Sequence, residues 1–165
     1  MKAAVLVPFN HEHVIMVHKA CREGYPWSCD AAFPGGRIKK GESIIEAALR
    51  EAAEEVCLDP SIVLVKSILP PETPLNEPFL RVYPVLGFLR GRTSLRVCSP
   101  EIDSIVKVSW DKICRYELRE WMHPKRKIVV KGLPVGDGVV VWGMTLRIVK
   151  KIRGLLCRYM VAGRY

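Results

Sequence analysis

No stretch of the chain approaches the ~20 consecutive apolar residues that span a bilayer, and the apolar start breaks at Pro8, too early for a secretory leader. The expected location is therefore the cytoplasm, with no membrane partner. Six cysteines, at positions 21, 29, 57, 98, 114 and 157, include no Cys-x-x-Cys pair, which leaves a structural zinc site without support. In a reducing cytosol they are expected as buried thiols, with bridges as the alternative in a hyperthermophile. Acidic residues are scarce, 17 against 26 basic ones, for a net charge of +9. Such a field attracts polyanions, whether nucleic acid or a small phosphorylated molecule. The basic residues form no long run and are not interleaved with a cluster of aromatics, so nucleic acid is not favoured. Repeats, low-complexity tracts and linkers are also lacking, and 165 residues suit one domain, 1–165.

What is present is a succession of short β-rich runs and two helical patterns. Ala3 to Pro8 and Val14 to Lys19 read as a hairpin around the polar turn that holds His11 and His13. Ile62 to Ile68, Phe79 to Leu89 and Ile102 to Trp110 read as further strands, and the prolines from Pro70 to Pro78 impose a loop. Lys127 to Lys131 and Val139 to Trp142 read as a second hairpin around a loop from Gly132 to Gly138, and Thr145 to Met160 carries an amphipathic stripe. This order predicts an α/β fold, a mixed sheet with helices on its faces. Trp27 or Trp142 could stack on a base or pack in the core; Trp142, beside a glycine in an apolar stretch, is expected in the core.

The other helix, Ser43 to Val56, opens with Ser43 and Glu46 at capping-box spacing. At 3.6 residues per turn, Ile45, Leu49, Ala52 and Val56 share an apolar face, while Glu51, Glu54 and Glu55 crowd elsewhere within about one turn. Three carboxylates so close repel one another unless a cation sits among them. Either the face is simply solvated, or it binds a hard divalent cation, for which carboxylate and carbonyl oxygens are the preferred ligands. Phe33-Pro34-Gly35-Gly36 lies just upstream, where glycine lets backbone come close to a ligand. Arg50 and Glu42 are placed to form an ion pair ordering this loop against the helix.

Gly36, five residues, Glu42, seven residues, then Arg50-Glu51-Ala52-Ala53-Glu54-Glu55 resembles the signature of the Nudix hydrolases. The resemblance implies an α/β/α sandwich and a Mg²⁺- or Mn²⁺-dependent hydrolase that cleaves a diphosphate linkage in a small nucleoside-diphosphate compound. It implies that Glu51, Glu54 and Glu55, with the Gly36 carbonyl, bind the metal, and that Arg50 and Glu42 orient them. The family carries a glycine where this chain has Cys57, so a left-handed residue is expected there at a cost of ~1 kcal/mol, or a helix end shifted by one position. Pro26-Trp27-Ser28, Pro100-Glu101-Ile102-Asp103 and Val141-Trp142-Gly143-Met144-Thr145 are similar to the coenzyme A diphosphatase branch. Tyr25 and Cys29 stand where that branch has arginine and glycine, so the match is partial. Lys19, Arg22, Arg37 and Arg81 are the candidate contacts for substrate phosphate. Glu101 and Asp103 are candidates for an extra ligand or base. ADP-ribose, a nucleotide sugar or an oxidised nucleotide is the alternative substrate, and a non-catalytic nucleotide- or RNA-binding module the alternative of another class. The resemblance also allows a homodimer.

Overall fold

The computed structural model describes residues 1–25 and 27–162. The elements run β1 (Lys2–Phe9), β2 (His13–Lys19), β3 (Ala31–Ala32), β4 (Gly35–Arg37), α1 (Ile44–Val56), a 3₁₀ turn (Pro60–Ile62), β5 (Val63–Ile68), β6 (Arg81–Leu89), β7 (Ile102–Ser109), α2 (Trp110–Arg115), β8 (Arg119–Met122), β9 (Val129–Gly136), β10 (Val139–Val141) and α3 (Gly143–Ala162). The main sheet has the order β3-β2-β1-β6-β5, with β4 also paired to β1 and β7 to β2. Strands β1 and β6 run parallel and the other pairings are antiparallel, so the sheet is mixed, as expected.

Strand β1 is buried along all but its first residue, because both faces of the sheet are covered. Side chains alternate along a strand: Ala4 and Leu6 pack with Ala47, Ala48, Ala52 and Val56 of α1, whereas Ala3, Val5 and Val7 pack with Ile148, Val149 and Ile152 of α3. The result is an α/β/α layering with a core on each side. A second sheet, β10-β9-β8, joins the α3 side.

Three expectations require correction. Trp110 does not end a strand; Ser109 accepts from the Lys112 amide at 3.3 Å and caps the short helix α2. Most of the loop expected from Gly132 to Gly138 is strand β9, and the turn shrinks to Asp137-Gly138, between the paired Gly136 and Val139. The cysteines are not free thiols: Cys21–Cys29, Cys57–Cys98 and Cys114–Cys157 are disulfides. Pairing needs two chain-distant Cβ atoms side by side, which spacing in sequence does not reveal. The last bridge joins α2 to α3. Among the described residues no helix is long and apolar enough to cross a membrane.

Candidate active site

Helix α1 starts where Ser43 accepts from the Glu46 amide at 3.1 Å and Glu46 accepts from the Ser43 amide at 2.8 Å. It ends on Cys57 in the left-handed region, φ 53°, with the Cys57 and Leu58 amides donating to the last-turn carbonyls of Ala53 and Ala52. The helix end is therefore not shifted; the disulfide to Cys98 accompanies the non-glycine residue there. The buried face is narrower than expected. Ala47, Ala48, Ala52 and Val56 are enclosed, while Ile45 and Leu49 are only half-buried at its edge.

Arg50 ties the preceding loop to this helix. Its Nε and Nη2 donate to both oxygens of Glu42, at 2.6 and 3.0 Å, and its Nη2 also reaches the Arg37 carbonyl at 3.2 Å. Its Nη1 donates to Glu51 at 2.8 Å and lies 3.4 Å from Glu54. The fork-shaped guanidinium holds three carboxylates, which a lysine could not do with the same geometry. Donation from Arg50, reinforced by the Lys39 amide, lowers the Glu42 pKa from the usual 4.5 to about 2. Glu42 in turn is the main reason the Arg50 pKa is raised, so the clamp is charged at neutral pH.

Because the Glu42 pKa is lower in the folded chain than in the unfolded one, its contribution to stability is fully present above 4.5 and lost as pH falls towards about 2. Melting curves between roughly pH 2 and 6 should therefore show a shallower acid dependence in Glu42→Gln than in the parent chain. Identical slopes would contradict the clamp.

Glu55, expected to crowd with Glu51 and Glu54 on one face, is instead turned inward and only 4% exposed. Lys19 at the end of β2 approaches its Oε1 to 2.6 Å, and the Gly35 amide donates to its Oε2 at 3.2 Å. Burial raises the Glu55 pKa, against the opposing pull of Lys19 and Gly35. Glu54 is the open member of the group, with its side chain 55% exposed against 18% for Glu51. Gly36 passes directly over Glu51: a Cβ at Gly36 would lie 2.6 Å from the Glu51 Cδ. Only glycine permits that approach.

Gly35, Gly36, Lys19 and Arg37 also line a cavity of about 320 Å³, so the acid cluster borders a space that admits a ligand of small-molecule size. Pro74, Leu75, Asn76 and Glu77 of the proline-rich loop form part of its wall. Arg37, one of the basic candidates, reaches Glu77 at 3.2 Å across this opening.

Two candidates do not reach the cavity. Arg81 is exposed while its neighbours Leu80 and Val82 are buried and line it, because alternation along β6 turns Arg81 away. Arg22 is exposed and does not line the cavity; its amide donates to Ser28 and its carbonyl accepts from Lys125. Asp103 lies 3.5 Å from His18, and neither it nor Glu101 lines the cavity. Trp142 is not a sealed core residue: it lines the cavity and donates its indole N–H to Asp30 at 2.9 Å. Sequence reading missed Asp30 and Arg126, which line the cavity, and His123, which bonds Asp30; the apolar neighbours of Trp142, Val141 and Gly143, gave no local signal for them.

Among the described residues no three acidic, His or Cys side chains already converge as metal ligands; the Arg50 guanidinium sits among the acids instead. The donor set nevertheless fits a hard divalent cation, with three carboxylates, Glu51, Glu54 and Glu55, within about one turn of one helix and the backbone of Gly36 against the first of them.

A family model for the NUDIX domain matches residues 1–131. "Nudix hydrolase 22, chloroplastic" of Arabidopsis thaliana is 33% identical over 73% of this chain and 42% of its own length. "Uncharacterized Nudix hydrolase NudL" of Pectobacterium atrosepticum is 29% identical over 92% of this chain and 80% of its own. The chain thus spans less than half of the plant relative. In three dimensions the NUDIX domain of Shewanella oneidensis NrtR, solved with ADP ribose, superposes with a TM-score of 0.63 at 12% identity, covering 94% of this chain and 88% of that one, which is a likeness of fold. With the signature residues gathered on one helix and loop, and the matched region reaching from β1 into β9, the chain belongs to the NUDIX domain family.

Proposed function

We propose that this protein is a Mg²⁺- or Mn²⁺-dependent hydrolase of nucleoside-diphosphate compounds, with coenzyme A or a derivative as the leading substrate. The observation that carries the reading is the contact between the acid cluster and the cavity: Gly36 touches Glu51, Lys19 and Gly35 hold Glu55, and all three of these contacting residues line the cavity. Glu51, Glu54 and Glu55, with the Gly36 carbonyl, would hold the metal. When bound, such an ion neutralises phosphoryl oxygens and makes a water nucleophilic.

The chain's own residues supply the rest. Arg50 and Glu42 fix the rotation of the carboxylates, and Lys19 and Arg37 give the diphosphate two cationic neighbours. Glu54, the most exposed carboxylate of the three, is open to accept the proton of the attacking water. Attack on phosphorus displaces the other phosphate directly, so no nucleophilic side chain is needed.

Coenzyme A leads because the stretches around Trp27, Ile102 and Trp142 resemble the branch that cleaves it. ADP-ribose is the second reading, favoured by the structural likeness to a domain solved with that ligand. A purely binding role would leave the complete carboxylate set without a use. A cytoplasmic location belongs to this reading with three bridges of the kind that intracellular proteins of hyperthermophiles carry. Incubation with coenzyme A and ADP-ribose side by side, with and without Mg²⁺, tests the proposal by product identity. Metal-dependent release of 3′,5′-ADP and 4′-phosphopantetheine is expected. Cleavage of ADP-ribose alone would move the substrate, and no cleavage of any diphosphate would reject the enzyme.

A further inference from the structure

The cavity wall around Asp30 and Trp142 carries a polar device that phosphate cleavage does not use. His123 is fully buried. Its Nδ1 accepts the amides of Lys125 and Arg126, at 3.1 and 3.0 Å. With that nitrogen committed as an acceptor, the ring proton sits on Nε2, which donates to Asp30 Oδ1 at 2.9 Å. Trp142 donates to the same oxygen, also at 2.9 Å. Edge-on contacts of His123 with Trp121 and Trp142, at 5.1 and 5.4 Å, hold its ring in that orientation.

Two donors on Oδ1 saturate one side of the carboxylate and fix its rotation. Oδ2 faces the Arg126 guanidinium at 3.5 Å, too long for a strong hydrogen bond, so it keeps acceptor capacity. Asp30, Trp27, Trp142 and Arg126 all line the cavity, and Arg126 lies over the Trp142 ring at 5.2 Å. This wall combines flat aromatic and guanidinium surfaces, on which a base can stack, with one oriented acceptor.

Resting on the diphosphate-hydrolase reading, we propose that this wall binds the substrate's nucleobase and that Asp30 Oδ2 accepts from an exocyclic amino group, selecting adenine. A single available oxygen suits one amino group. Guanine sets N1–H beside its amino group, so with Oδ1 taken one of the two donors is left unpaired, and hypoxanthine would set a carbonyl oxygen against a carboxylate. Asp30 is thus a specificity-determining residue, and His123 positions it.

The test needs neither metal nor turnover: affinities of AMP, GMP and IMP measured by quenching of tryptophan fluorescence. AMP is expected to bind about tenfold or more tightly than IMP and GMP. Asp30→Asn keeps an oxygen for His123 and Trp142 and turns an N–H₂ donor to the Oδ2 position, so its preference should invert towards IMP. Equal affinity of the parent chain for AMP and IMP would overturn the proposal, as would an unchanged preference in a folded Asp30→Asn chain. Should that variant unfold, the comparison in the parent chain still decides. AMP selectivity without hydrolysis of any diphosphate would leave the base site standing and remove the hydrolase reading; hydrolysis without base selectivity would do the reverse.

Discussion

Glu54→Gln is expected to lower kcat by at least about a hundredfold, the scale seen when one charge-stabilising group is removed from an active site, with little change in melting temperature. The side chain is 55% exposed and its only described ion pair is the 3.4 Å contact with Arg50, so its loss should cost stability no more than about 0.5 kcal/mol. Glu55→Gln should also abolish turnover, but with a second signature. It removes the partner of Lys19, whose side chain is only 15% exposed, and leaving a nearly buried charge unpaired costs a few kcal/mol, here about 2 because Lys19 can turn into the cavity. Steady-state kinetics and thermal melts on both variants separate the roles. Parent-like kcat in Glu54→Gln would remove it from the reaction, and a parent-like melting temperature in Glu55→Gln would remove the buried pair.

Loss of the Cys57–Cys98 bridge is the second large effect. The half-cystines are 41 residues apart, and closing a loop of that size restricts the unfolded chain by about 4 kcal/mol in the chain-entropy model. For a domain of this length that is a fall in melting temperature of about 8–16 °C. The consequence reaches the site, because the segment beside Cys98 caps α1: the Cys98 amide donates to the Glu55 carbonyl at 3.0 Å and the Arg96 amide to the Val56 carbonyl at 3.2 Å. Without the bridge, the helical turn carrying Glu54 and Glu55 loses its clasp, and activity should fall below the melting transition as well. Calorimetry and kinetics on the Cys57→Ser, Cys98→Ser chain check this; an unchanged transition would show that the bridge contributes nothing.

Local signals located the signature helix well. Ser43 and Glu46 marked its start, the glutamate spacing its chemistry, and β-branched runs the strands β1 and β2. Alternation could have gone further, since Arg81 between apolar Leu80 and Val82 had to face away from the cavity. Other features were beyond reach because they join distant segments. Asp30 and His123 meet across 93 positions, Lys19 and Glu55 across 36, and a helical wheel has no means of showing that Glu55 turns inward onto a strand. Trp142 misled for a related reason: an apolar neighbourhood marks burial, but not whether the burying wall belongs to a core or to a cavity.

The most direct test of the metal-site assignment is a Mn²⁺ titration followed by electron paramagnetic resonance, comparing the parent chain with Glu51→Gln, Glu54→Gln. The parent chain is expected to remove free Mn²⁺ from solution and the variant to lose most of that binding while keeping its fold. Equal binding by both chains, or hydrolysis that persists in the parent after complete chelation, would contradict the metal centre built here from Glu51, Glu54, Glu55 and Gly36.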